Sequence, residues 1–376
     1  MMKRRQFLAA VGGSMVCWHS SNLLAMPIKR PKLVWVMLRG AMDSLHAVLP
    51  IADPSLIEHR RGLLKTVKDQ ATPLERGFAL HPSLKTFAEL YRQKQLLTVV
   101  ATGSGADTRS HFRAQDIVES GYNQADADSG WLNRAVEAYQ GESLAVAHSL
   151  PISLRGKHAS QTWYPDHFME SSEDLYNRLK YLYDGDEQLL NSLINGLETQ
   201  AQLGDMATDR RQQKFANLAL SCGKLMQAKN GPDCSMLELD GWDTHQRQVY
   251  RLDKQFTELD KGLAALRQGL GEQWDNTAVI IATEFGRTVA ENGTGGTDHG
   301  TASALFLAGG AVRGGRVYGQ WPGLKKAQLF EGRDLMPTSD NRQWISALLK
   351  QHWQLNDVQL NTVFPQISPM QINLIR

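Results

Sequence analysis

The stretch Ala278–Ala308 reads AVIIATEFGRTVAENGTGGTDHGTASALFLA. Two β-favouring apolar runs, Ala278–Ala282 and Ala304–Ala308, bracket a polar loop rich in Gly and Thr. The loop carries Glu284, Arg287, Asp298 and His299. A buried strand ending in a carboxylate, followed by an Asp-His pair on a glycine loop, suits a metal ion held beside an oxyanion. This pattern predicts an α/β fold.

Immediately upstream, Leu252, Phe256, Leu259, Leu263, Leu266 and Leu270 recur at alternating steps of four and three, which predicts a long amphipathic helix. Before it, the strand Met236–Leu239 ends in Asp240-Gly241-Trp242-Asp243-Thr244-His245. A helix between two buried strands is a right-handed crossover and implies a parallel sheet. Leu33–Leu38 (LVWVML) reads as a strand covered on both faces and ends in Arg39-Gly40-Ala41-Met42-Asp43-Ser44. Leu96–Ala101 is a further strand, followed by a polar segment containing Thr108, Ser110 and His111 and then by helical residues to Glu119. Helix is also expected over Thr208–Ala228, with Phe215, Leu218, Cys222 and Leu225 on one stripe. Residues 147–230 are expected to form a helical cap or insertion over the site, within a single α/β domain at 31–356. Thr338-Ser339-Asp340 caps a last helix, and the tail beyond Asn356 has no reading.

A length of 376 residues, 42% of them hydrophobic and 21% charged, suits a globular fold and excludes a disordered or repeat chain. Lys3-Arg4-Arg5-Gln6-Phe7-Leu8 resembles a twin-arginine signal, so residues 1–25 are expected to be a signal segment. The apolar run Phe7–Trp18 is too short to span a bilayer, so no transmembrane anchor is expected. The expected location is periplasmic or otherwise exported, with the twin-arginine export machinery as partner. Losing this segment removes three bases and no acid, turning a formal net charge of +2 into −1. That balance gives no reason to expect nucleic acid as a partner. Cys222 and Cys234 would then remain, either as isolated buried thiols or as a pair formed in an oxidising compartment.

Four strand ends thus carry polar clusters, and in a parallel sheet these ends lie at one edge. Asp43 is either a metal ligand or the cap of the next turn. Thr108 or Ser110 is either an N-cap or a nucleophile at a helix start, where the dipole favours an anion. In an extended segment residues i and i+2 point the same way, so Asp243 and His245 can grip one ion together. Glu284 and His299, on either side of the glycine loop, complete the expected metal set, with Asp298 shaping the loop or supporting a ligand. Arg287 and Arg39 are candidates to clamp an oxyanion, or are ordinary ion pairs. His46, His81, His148, His158, His167 and His352 read as structural or surface residues.

The basic start, Leu38-Arg39-Gly40-Ala41-Met42-Asp43, Ser110-His111-Phe112-Arg113-Ala114-Gln115-Asp116, Gly241-Trp242-Asp243-Thr244-His245, Thr283-Glu284-Phe285-Gly286-Arg287-Thr288, Gly296-Thr297-Asp298-His299-Gly300 and Gly315-Arg316-Val317-Tyr318-Gly319 together resemble the family called domain of unknown function 1501. That family in turn resembles the alkaline phosphatase and sulfatase superfamily. The resemblance implies a large, mostly parallel sheet sandwiched by helices. It implies a metal-dependent hydrolase or transferase acting on small-molecule or glycan esters of phosphate or sulfate. The implied metal residues are Asp43, Asp243, His245, Glu284 and His299. The implied ion is zinc, with manganese or calcium as alternatives. The implied catalytic residues are Ser110 or Thr108 as nucleophile and Arg287 as clamp. Phe285 stands where the phosphatases have a His, and Glu284 where they have an Asp. These departures leave open one ion, a harder ion or none. The alternative, which Phe285 favours, is a non-catalytic exported protein that keeps the fold and binds a partner or glycan.

Overall fold

The computed structural model describes residues 30–165, 214–376 and parts of 176–203. The signal expected at 1–25 lies outside the described residues, as do 166–175 and 204–213 of the expected cap. Among the described residues nine strands form one mixed sheet. In chain order they are β1 (Lys32–Leu38), β2 (Leu96–Gly103), β3 (Ser143–Val146), β4 (Gln161–Trp163), β5 (Cys234–Leu239), β6 (Thr277–Thr283), β7 (Ser303–Ala308), β8 (Arg316–Tyr318) and β9 (Ser339–Asp340). Their spatial order is β8-β2-β7-β6-β1-β5-β3-β4, with β9 pairing alongside β2.

β7 pairs antiparallel with both β2 and β6, while every other pairing is parallel. The expected mostly parallel sheet is therefore present, with one reversed strand that the apolar run Ala304–Ala308 could not reveal. The reversal keeps the β6–β7 connection, Glu284–Ala302, at the edge where the parallel strands end.

β1 is apolar throughout because both its faces are covered. Val34, Val36 and Leu38 point into one helical layer, and Leu33, Trp35 and Met37 into the other. Among the helices are α1 (Ser55–Leu64), α2 (His111–Ser120), α3 (Phe215–Gln227), α4 (Gln248–Leu270) and α5 (Asn341–His352). The α4 stripe from Leu252 to Leu270 is buried against the first layer. α3 shares that layer, so this end of the expected cap segment builds the core. Asp340 caps α5 by accepting from the Arg342 amide, as the sequence suggests. The tail is also core: Val363, Phe364 and Leu374 are buried in the second layer. Cys222 and Cys234 are both buried and unpaired. Burial pushes the Cys222 thiol up to about 12, which keeps it protonated and inert.

Candidate metal centre

Four connections meet at the carboxyl edge: those after β1, β2 and β5, and the β6–β7 loop. Three imidazoles converge there. His299 Nε2 lies 3.0 Å from His111 Nε2 and 3.0 Å from His245 Nε2. The Asp243 carboxylate closes the group, 3.0 Å from His245 Nε2, 3.4 Å from His299 Nε2 and 3.7 Å from His111 Nε2. His111, Asp243 and His299 each offer a ligand atom, all within 4.8 Å of one another.

The other nitrogen of each ring fixes its tautomer. His111 Nδ1 faces Glu284 Oε1 at 2.8 Å, His245 Nδ1 faces Asp298 Oδ1 at 3.1 Å, and His299 Nδ1 faces the Arg109 carbonyl at 2.8 Å. All three partners are acceptors, so each Nδ1 carries the proton and each Nε2 presents a lone pair. Burial, with the nearby Arg287 charge, also lowers the affinity of His299 for a second proton. The His111 and His299 lone pairs and the Asp243 carboxylate thus crowd one point, with His245 Nε2 at its edge 3.0 Å from His299 Nε2, which is repulsive unless a cation lies among them. The 3.0 and 3.4 Å separations bracket the roughly 3.3 Å between ligand atoms on a tetrahedral ion of zinc size. The donor set therefore fits a divalent ion of zinc type.

The residues behind the ligands are themselves fixed. Glu284 is fully buried, and desolvation alone would raise its carboxyl. Hydrogen bonds from His111 Nδ1 (2.8 Å), Gln115 Nε2 (2.9 Å), the Gly40 amide (2.8 Å) and Thr283 Oγ1 (2.7 Å) hold it below the ordinary value. With its oxygens so occupied, Glu284 orients His111, whereas the sequence suggests a metal ligand. Arg39 donates to Gln115 Oε1 at 2.9 Å and so sets which end of that amide meets Glu284.

Asp243 is likewise pushed up by burial and pulled lower by Arg287, whose Nη1 donates to Oδ1 at 2.6 Å. Arg287 Nε donates to the Thr297 hydroxyl (3.2 Å) and Nη2 to the Thr297 carbonyl. Its side chain is fully buried, so Arg287 positions Asp243 and is shielded from the solvent side where the expected oxyanion clamp would meet a substrate. Arg39 is similarly spent on Glu238, Glu119 and Gln115.

Asp43 stands apart from the cluster. It caps the helical turn Ser44–Ala47 through the Leu45 amide, and its Oδ2 accepts from Arg60 Nη1 and Gln248 Nε2, each at 2.6 Å. Arg60, from α1, also donates to the carbonyls of Val289 and Thr288. A guanidinium thus occupies the place where the sequence suggests a metal ion at Asp43.

Ser110 is exposed at the N-cap of α2, beside His111, and its side chain makes no capping bond. Thr108 Oγ1 accepts from the Ser110 amide at 3.1 Å. Phe285 is buried, with its ring stacked on His111 at 4.9 Å and tilted against His299 at 5.4 Å. It forms an apolar wall behind two ligands, and its side chain brings no donor to the centre.

His111 is the candidate ligand that sequence reasoning does not single out. It follows directly on the Ser110 N-cap signal, which draws the reading to the hydroxyl. The available clue is the i, i+4, i+8 series His111, Gln115, Glu119, which lays three polar groups along one face of α2.

The centre needs close backbone approach in two places. Gly40 has φ +115°, and a Cβ there would lie 2.7 Å from the Asp243 amide nitrogen. At Gly296 a side chain would strike the backbone of His245.

Solved structures with a similar fold include Ps i-CgsB in complex with k-i-k-neocarrahexaose (12% identity over 88% of this chain and 74% of that one, TM-score 0.43). The alkaline phosphatase from the Antarctic bacterium TAB5 is 11% identical over 89% of this chain and 98% of its own, with a TM-score of 0.40. Lipooligosaccharide phosphoethanolamine transferase A from Neisseria meningitidis is 10% identical over 91% of this chain and 59% of its own, with a TM-score of 0.43. No curated protein sequence matches the chain. One family profile does, spanning residues 30–364 and with them every segment of the centre, so the chain belongs to the family described as protein of unknown function, DUF1501.

Proposed function

We propose that the protein is an exported, metal-dependent hydrolase or transferase acting on phosphate or sulfate esters. The observation that carries this reading is the convergence of the His111 and His299 Nε2 atoms and the Asp243 carboxylate on one point, with His245 Nε2 against His299 and Asp243 and every Nδ1 already committed to an acceptor. His111, Asp243, His245 and His299 would hold one divalent ion, with zinc the first choice and manganese or calcium the alternatives. When bound, such an ion polarises an ester oxygen as a Lewis acid.

The chain's own residues supply the rest. Arg287 holds Asp243, Glu284 holds His111, Asp298 holds His245, and the Arg109 carbonyl holds His299. Ser110 offers an exposed hydroxyl at the start of a ten-residue helix, where the dipole favours developing negative charge. Thr108 is the less suitable nucleophile, because its oxygen already accepts from the Ser110 amide. The side chains of His245 and Asp243 are 44% and 42% exposed, so a substrate reaches the centre from solvent. The ester class rests on the motif resemblance together with this pairing of a hydroxyl and a cation site. Export rests on Lys3-Arg4-Arg5-Gln6-Phe7-Leu8.

Elemental analysis of the purified protein tests the reading, followed by an ester panel with added zinc, manganese or calcium. Stoichiometric metal, lost in the His245→Ala and His299→Ala variants, is expected, as is turnover lost in Ser110→Ala. A metal-free protein whose melting temperature ignores both zinc and chelator would overturn it. Phe285 and Arg60 favour one rival, a binding protein that keeps the fold, because each puts a non-ligand where the superfamily pattern has a metal group. That rival is the outcome if the protein loads metal but turns over no ester.

A further inference from the structure

A cavity of about 590 Å³ opens beside the centre, at the same carboxyl edge of the sheet. Arg39, Val146 and Asp240 line it at the ends of β1, β3 and β5. α2 leads from one site to the other. His111 is its first residue, and Asp116, which lines the cavity, follows five residues later, or about 7 Å along the axis. We infer that this cavity seats the non-reacting part of the substrate, and that this part carries an ammonium group. The inference rests on the ester reading for what occupies the far end of the ligand.

The charge of the cavity supports this. Four carboxylates line it against two guanidiniums. Arg39 is consumed by Glu238 (3.0 and 2.8 Å) and Glu119 (2.7 Å), and the other Glu119 oxygen takes the Ser153 amide and hydroxyl, each at 3.0 Å. Arg155 donates to the carbonyls of Leu150 and Ala127. Among the described residues, the side chains of Asp116 and Asp240 make no hydrogen bond and no ion pair. The cavity therefore keeps two unmatched negative charges. Burial raises the Asp240 carboxyl, with Glu238 and Glu284 pushing the same way against Arg39, and an added cation relieves that strain.

The walls are aromatic. The rings of His148 and Tyr164 lie 3.7 Å apart, and Phe215 adds an apolar surface. Carboxylates combined with aromatic faces suit an ammonium group, which is attracted to both. A neutral sugar would use the aromatic faces and donate hydroxyls to the carboxylates but leave their two negative charges uncompensated.

The test compares aminohexyl phosphate with hexyl phosphate by calorimetry on the zinc-loaded protein. The amine-bearing ligand is expected to bind about tenfold more tightly, the scale of a charge pair in a partly desolvated cleft. Asp116→Asn and Asp240→Asn should each shrink that ratio toward one without changing zinc content. Equal affinity of the two ligands in the unaltered protein overturns the inference and leaves the metal reading standing. Hexylammonium titrated into chelator-stripped protein separates the two ideas. Binding that Asp240→Asn abolishes supports the cavity even if no phosphate ester binds, and no binding by either amine removes it.

Discussion

Arg60 lies wholly inside the protein with its Nη1 2.6 Å from Asp43 Oδ2, and both side chains are fully shielded from solvent. Removing one partner of such a pair leaves an uncompensated buried charge. Arg60→Met is therefore expected to cost about 3–5 kcal/mol of stability. The double variant Asp43→Leu with Arg60→Met should recover part of that loss. Urea unfolding midpoints, read with the slope held constant, check both.

Glu284→Gln keeps the volume of the side chain but weakens its grip on His111 Nδ1. The fold should survive, with metal affinity falling about 10- to 100-fold, as for other residues that orient a ligand imidazole. Competition with a chromogenic chelator measures it. Unchanged affinity would mean that Phe285 alone fixes the ring.

Gly40→Ala forces a Cβ toward the Asp243 amide at a φ of +115°. The expected penalty is about 1–3 kcal/mol, the cost of a strained backbone position. It should be accompanied by weaker metal binding, because Gly40 also donates to Glu284. Thermal unfolding with and without zinc separates the two effects.

Acid should destabilise the protein through two buried imidazoles, His46 and His81. Burial lowers His46 from 6.5 to about 3 and His81 to about 4, and both ring nitrogens of His46 lack partners among the described residues. In the unfolded chain these rings take up protons near 6.5, while in the fold they stay neutral. Below about 6.5 the unfolded state binds more protons, so stability falls as the pH drops and levels off near 3–4. The loss should reach a few kcal/mol. His46→Gln should flatten the slope of stability against pH between 6 and 4; an unchanged slope would assign the acid sensitivity elsewhere.

The strands and the long helix are legible in the sequence because their patterns are local. Val34 and Trp35 alternate between two apolar layers, and Leu252 to Leu270 keep a helical period. The meeting of four polar strand ends follows from parallel topology, and Asp243, His245 and His299 do gather there. The division of labour within the site is not legible. Asp43 and Glu284 are acids at strand ends, as a ligand would be. What separates them from Asp243 is the company of Arg60 and Gln115, which only the packed fold supplies. Arg287 reads as a clamp until its burial and its partners are seen. Nor does an apolar run state its direction, so the reversal of β7 appears only in its pairing.

The two histidines that meet at 3.0 Å, His111 and His299, stand 188 residues apart in the chain. No short fragment can therefore assemble the centre, and an ion enters only once β2, β5 and the β6–β7 loop have come together. Divalent ions rank by intrinsic affinity in much the same order for any nitrogen and oxygen site, so local supply decides which one is taken. Under the metal loading proposed above, the identity of the ion would record where the sheet closed. Under the export proposed above, a chain folded beforehand would carry the ions of the cytoplasm with it, and one folded afterwards would carry those outside.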